Sequence, residues 1–123
     1  MTNNSLNEIA LQLKKAQTVA IFCHARPDGD ALGAGLALYT AMQNAGKFAV
    51  MCCEDAPPEK YTFLKSMGGV RRGLPTKPNF DTFISVDCAD VARMGIFGEA
   101  YVKFSGNTIN IDHHVSNKGF AKY

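Results

Sequence analysis

Thr18-Val19-Ala20-Ile21-Phe22-Cys23-His24-Ala25-Arg26-Pro27-Asp28-Gly29-Asp30 is the stretch that decides the fold. Its first six residues are apolar or β-branched without a break, which is the pattern of a strand buried on both faces. Pro27 and the Asp28-Gly29 pair then supply turn chemistry. Ala31 to Ala45 follows, rich in Ala and Leu and closed by Gly46, a natural helix stop. A buried strand, a polar loop and a helix make the first part of a crossover unit. Outward from it the pattern repeats. Ser5 and Glu8 form a capping box, and Leu6, Ile9, Ala10 and Leu13 recur at helical spacing, so a helix is predicted from about Leu6 to Lys15. Phe48–Cys52, Phe83–Val86 and Thr108–Ile111 read as further buried strands. The segment 54–80 holds Pro57, Pro58, Pro75 and Pro78 and is less regular, with a short helix expected from Pro58 through Leu64. Another short helix is expected near Ile96 to Ala100. Strands alternating with helices predict an α/β fold, a parallel sheet with helices on both faces. Nothing in Asp112 to Tyr123 has the pattern of a closing helix, so the fold is expected to be incomplete at its C-terminus.

Composition narrows the class without naming a function. The 123 residues are one domain's worth, and 46% hydrophobic against 20% charged residues is a composition that folds around a core. A formal charge of +2 is too small to argue for nucleic acid or an anionic membrane on charge alone. No stretch approaches the roughly 20 apolar residues of a membrane span. The start, MTNNSLNE, has neither the basic nor the apolar region of a secretory signal. Cys23, Cys52, Cys53 and Cys88 contain no C-x-x-C pair and lie in or beside apolar runs. They read as buried free thiols, which fits a cytoplasmic setting.

Three of the predicted strands run straight into ionisable residues. The first leads to His24, Asp28 and Asp30, the third to Asp87, and the last to Asp112-His113-His114. These include all three histidines of the chain. Ligands of open parallel sheets bind at the carboxyl ends of the strands, so the three segments should converge. Two like charges about 4 Å apart cost on the order of a few kcal/mol at an intermediate dielectric, and something must offset that. Carboxylates mixed with imidazoles suit Mn²⁺, Fe²⁺, Co²⁺ or Zn²⁺, with Mg²⁺ less comfortable. The ligands outnumber the needs of one ion, and two ions bridged by a shared carboxylate would use them. Taken singly each residue has a plainer role: Asp30 as a helix N-cap, Asp28-Gly29 as a turn, Asp87 as a strand-end carboxylate, and the histidines as structural or loop residues.

The segments HARPDGDALGAG, SVDCAD and IDHHVSN, in this order and each after a strand, resemble motifs I, II and III of the DHH phosphoesterase superfamily. PDGDALG, with Asn117 after the DHH triplet, is most similar to the bacterial oligoribonuclease and bisphosphate-nucleotidase branch, which is related to the RecJ-type exonucleases. The resemblance covers nearly the whole chain. It implies that residues 1–123 are the N-terminal part of a DHH phosphoesterase domain, with the rest of that domain and a C-terminal substrate-binding domain absent. It also implies two divalent ions, Mn²⁺ first and Mg²⁺ or Co²⁺ as alternatives. His24 and Asp28 would bind the first ion, Asp30 and His113 the second, and Asp87 would bridge them. Asp112 would orient the histidine pair, and His114 would sit near a phosphate oxygen.

Two departures from the family pattern matter. Ala34 stands where the family commonly has a serine, and a further metal-binding aspartate comes from a downstream segment not in this sequence. The 123-residue chain by itself is therefore expected to hold at most one ion tightly and to have little activity. The expected function is metal-assisted hydrolysis of phosphate esters in short single-stranded RNA or DNA, or in a small phosphorylated nucleotide such as a 3′,5′-bisphosphate nucleoside. A cyclic-dinucleotide phosphodiesterase and a non-catalytic nucleotide or metal sensor are the alternatives. Catalytic roles fall to Asp87, Asp112, His113 and His114. Phosphate contacts fall to His114 and to amides near Ala31 and Leu32 at the helix start; Arg71 with Arg72 would meet a second phosphate or a nucleic-acid backbone, the plainer reading being a solvated loop pair. No membrane partner is expected, and a homodimer is left open.

Overall fold

The structure is a computed structural model that describes residues 3–64 and 66–123. Met1, Thr2 and Lys65 lie outside the described residues. The elements in chain order are α1 (Leu6–Lys15), β1 (Thr18–Phe22), α2 (Gly29–Asn44), β2 (Phe48–Cys52), β3 (Val70–Arg71), β4 (Thr82–Val86), α3 (Phe97–Lys103) and β5 (Asn107–Ile111). The strands form one five-stranded sheet in the order β3-β2-β1-β4-β5, and every pairing is parallel. The α/β reading with a parallel sheet therefore stands. Three details differ. α2 starts at Gly29 rather than Ala31. The segment after Pro58 makes only a short 3₁₀ turn, Glu59–Tyr61. The two-residue strand β3 has no counterpart in the sequence reading, because its pairing with Met51 and Cys52 is a tertiary event.

Alternation along the strands divides the core in two. Val19, Ile21 and Cys23, with Ala49, Met51, Ile84 and Ile109, face one side and bury Ala31, Leu32, Leu36 and Met42 of α2. Ile9 and Leu13 of α1 pack on the same side. Ala20, Phe22, Val50 and Phe83 face the other side, against Met94, Phe97 and Tyr101. Helices thus cover both faces, as parallel strands require. The expected capping box is present: the Glu8 amide donates to Ser5 Oγ (3.2 Å) and the Ser5 amide to Glu8 Oε2 (2.6 Å). All four cysteines are free and buried, and burial pushes the Cys52 thiol up to about 12.

Strand order places the site. From β1 the chain moves to β2 on one side and then returns to β4 on the other. The gap between the loops leaving β1 and β4 is thus a topological switch point, where open α/β sheets bind ligands.

Two glycines show how closely helices are packed on this frame. A Cβ at Gly98 of α3 would lie 2.8 Å from the Val91 carbonyl oxygen, whereas a Cβ at Gly33 of α2 would meet nothing within 4 Å. Alanine gains about 1 kcal/mol over glycine in a helix interior, but overpacking against a fixed group costs about 1–3 kcal/mol. Urea denaturation of Gly33→Ala should show a midpoint at or above wild type, and that of Gly98→Ala a midpoint below it. A rise for Gly98→Ala would show that α3 is not held against the 91–94 turn.

Candidate metal centre

The three polar segments meet at the carboxyl edge of β1, β4 and β5. Asp87 is the residue they share. It follows β4 directly, its amide donates to the Ile111 carbonyl (3.0 Å), and it is 8% exposed. Its φ of 52° is in the left-handed region, which Asp tolerates better than most residues. Backbone held in such a conformation clusters at functional sites.

His24 leaves β1 from a buried position. Its Nδ1 lies 2.7 Å from the Ala25 carbonyl, which can only accept, so Nδ1 carries the proton. In the neutral ring Nε2 then offers a lone pair, 3.7 Å from Asp28 Oδ1. Asp28, not Asp30, caps α2, and its Oδ1 accepts from the Ala31 amide at 2.9 Å. That amide is the main cause holding the Asp28 carboxyl below its usual range; burial opposes it and the neighbouring His24 adds to it. Asp30, released from capping, places Oδ2 3.3 Å from His113 Nε2. The same Nε2 lies 2.9 Å from Asp87 Oδ1.

Asp112 is held differently. Its Oδ1 takes His114 Nδ1 at 2.5 Å and its Oδ2 takes Asn117 Nδ2 at 2.8 Å. Asn117 also donates to Asn110 Oδ1, and Asn110 Nδ2 donates to Ser85 Oγ and the Cys88 carbonyl. A continuous chain of hydrogen bonds therefore runs from the sheet to the His114 ring. Burial pushes the Asp112 carboxyl up, but the bonds from Asn117 and His114 outweigh it and hold it low. The Asp112 carboxylate raises His114 above its ordinary value, against some burial and the charge of Arg93.

These distances suit divalent cations. Two donors about 2.1 Å from one ion and about 90° apart are about 3 Å from each other. Two groups have donor atoms that all lie within 4.8 Å of one another, near that spacing: His24, Asp28 and Asp87 form one, and Asp87, Asp112, His113 and His114 the other. Asp87 belongs to both. A cleft of about 300 Å³ opens beside them, lined by His24, Asp28, Asp87 and His114 and also by Arg93, Ser116 and Lys118.

A profile for the N-terminal domain of the DHH family matches residues 18–122. The chain belongs to the DHH family. It is 33% identical over 103 residues to the bifunctional oligoribonuclease and PAP phosphatase NrnA of Thermus thermophilus, a match that spans 84% of the chain and 30% of that relative. In fold it resembles the crystal structure of an exopolyphosphatase-related protein from Bacteroides fragilis, with a TM-score of 0.84, 21% identity, and coverage of 94% of this chain and 36% of that one. This DHH chain thus spans about a third of the length of the proteins it matches.

Of the residues singled out in the sequence, His24, Asp28, Asp30, Asp87, Asp112, His113 and His114 lie together. Two others do not serve as expected. The Ala31 and Leu32 amides are already taken, by Asp28 Oδ1 and the Asp28 carbonyl, so neither is left to donate to a phosphate. Arg71 is on the edge strand β3, two strands from β1, beside Tyr39, Gln43 and Lys47. Arg93 and Lys118 line the cleft instead, and the sequence reading passed over them. Both follow a motif closely, but a loop cation carries no local pattern that tells a lining residue from a solvated one.

The Asp112–His114 pair yields a pH test in the metal-free protein. His114 has a raised folded pKa, so its contribution to stability is fully present below the ordinary value of 6.5 and is lost as pH rises through the folded value. Asp112 has a depressed pKa, so its contribution is present above 3.8 and is lost as pH falls through the folded value. A histidine NMR titration should place His114 above the ordinary range in wild type and return it toward 6.5 in Asp112→Asn. An unchanged His114 in that variant would contradict the pairing.

Proposed function

We propose that this DHH chain carries the metal-binding centre of a phosphoesterase that hydrolyses short oligonucleotides or 3′,5′-bisphosphate nucleosides. The observation that carries the reading is the sharing of Asp87 between two compact donor groups. Family membership and similarity to a protein named for oligoribonuclease and PAP phosphatase activities support the substrate class. In this reading His24 and Asp28 would hold one divalent ion, Asp30 and His113 would hold a second, and Asp87 would serve both, with Mn²⁺ the best match to a mixed carboxylate and imidazole set. Ions bound there would supply a water of lowered pKa and charge to balance the phosphoryl oxygens.

The remaining chemistry belongs to the chain. Asp87, buried and fixed through its own amide, needs no reorganisation to present its carboxylate. The Ala25 carbonyl selects the His24 tautomer whose Nε2 is free to bind. Asp112 accepts from Nδ1 of His114 and favours the doubly protonated ring, whose Nε2–H can donate to a phosphate oxygen. Asn117 and Asn110 keep Asp112 from turning away. We assign the grip on base and sugar to sequence outside residues 1–123, in keeping with the greater length of the relatives.

Mn²⁺ calorimetry on the 123-residue chain should show one tight site, and a second only weakly. Asp87→Asn should abolish the tight site and, in the full-length enzyme, cut nucleotide release from a short RNA by more than about a hundredfold, the upper end for losing a group that merely supports a ligand. Two tight sites in the chain, or an Asp87→Asn variant within twofold of wild type, would overturn the assignment.

A further inference from the structure

The cleft that His24, Asp28, Asp87 and His114 line is also lined by residues that the proposed chemistry does not use, Arg93, Ser116 and Lys118 among them. Each cation is held by its backbone to a loop of the metal centre. The Arg93 carbonyl accepts from the Ala25 amide at 2.6 Å, next to His24, and the Lys118 amide donates to the Ala89 carbonyl at 2.8 Å, two residues past Asp87. The Arg93 turn is fixed further by Asp90, whose side chain accepts from the Ala92 amide (3.0 Å) and whose carbonyl accepts from the Arg93 amide (2.9 Å). Among the described residues, neither the Arg93 guanidinium nor the Lys118 ammonium forms an ion pair with a carboxylate, although Asp28, Asp87 and Asp90 line the same cleft.

That distribution of charge is informative. Divalent ions held by His24, Asp28 and Asp87 would use two of the aspartates that line the cleft. Arg93 and Lys118 then remain at the same cleft with no carboxylate partner among the described residues. A single phosphoryl group on the ions would not need both. The cleft's volume of about 300 Å³ is at the low end for ligand sites and suits a small phosphorylated molecule. A planar guanidinium fork and an ammonium are the usual receivers of phosphate oxygens.

We infer that Arg93 and Lys118 form a subsite for a second phosphate, one that does not react, on a substrate whose first phosphate lies on the metal centre. This rests on the phosphoesterase reading and sharpens it. The favoured substrate carries two phosphates separated by one sugar, as in a 3′,5′-bisphosphate nucleoside or the 5′-phosphorylated end of a short oligonucleotide. A nucleoside monophosphate would bring no second phosphate to Arg93 and Lys118. Arg71, at the other end of the sheet, takes no part.

The test is binding of adenosine 3′,5′-bisphosphate and of 5′-AMP to the full-length protein by calorimetry, with Ca²⁺ in place of Mn²⁺ to prevent turnover. Wild type should bind the bisphosphate at least about tenfold tighter than AMP, the scale of a charge-assisted hydrogen bond. Arg93→Ala and Lys118→Ala should each remove most of that preference by weakening the bisphosphate, and Arg93→Lys should restore part of it. Arg71→Ala should keep the full preference. If Arg93→Ala and Lys118→Ala retain the wild-type preference, or weaken both ligands equally, the subsite is wrong while the phosphoesterase reading stands. If wild type binds neither ligand, both are wrong.

Discussion

Burying Asp87 is the constraint on which the rest of the structure depends. A carboxylate taken out of water costs several kcal/mol unless charges or donors surround it. Here the surroundings are His113 Nε2 at 2.9 Å, His114 Nδ1 at 3.9 Å, and the His24 side chain, while the Asp28 carboxylate nearby adds like charge. These groups come from three loops that are far apart in the chain. Only a sheet with β1, β4 and β5 adjacent and parallel brings them to one edge. The left-handed backbone at Asp87 then turns its side chain at the end of β4 while its amide stays bonded to β5. Fold and site are in this sense one solution: the sheet register makes the cleft, and cations in the cleft would offset the charge that the register concentrates.

The layer beneath the donors works by hydrogen bonding alone. Ser85 in β4, Asn110 in β5, Asn117, Asp112 and His114 form one chain, and Tyr101 from α3 joins it through Ser85 while donating to the Ile109 carbonyl. Such a network is worth having inside a protein only when every member is satisfied, and among the described residues no buried side-chain polar atom lacks a partner. It couples the orientation of an exposed imidazole to the packing of α3 on the sheet.

Much of this was legible in the sequence, for identifiable reasons. Strands buried on both faces are unbroken apolar runs, and Val19–Phe22 or Phe83–Val86 can hardly be read otherwise. The Ser5–Glu8 box marks α1 because it is purely local. The site was legible because histidines and aspartates follow strands, and the order of three motifs carried a family resemblance that assigned individual roles. What escaped was tertiary. The two residues of β3 are a strand only because Met51 and Cys52 lie beside them. The loss of the Ala31 amide depends on Asp28 being the cap, which shifts the start of α2 by two residues. That Arg93 lines the cleft while Arg71 lies on the edge strand depends on strand order, to which hydrophobic pattern is blind because all the strands look alike.

The central claim is that Asp87 lies between two cation sites. Its most direct measurement is anomalous X-ray scattering from crystals of the protein soaked in Mn²⁺. The account predicts anomalous peaks flanking the Asp87 carboxylate, the stronger beside one of the two donor groups, with His24 or His113 Nε2 about 2.1 Å from the peak. Peaks confined to other parts of the surface, with Asp87 touching none of them, would contradict it.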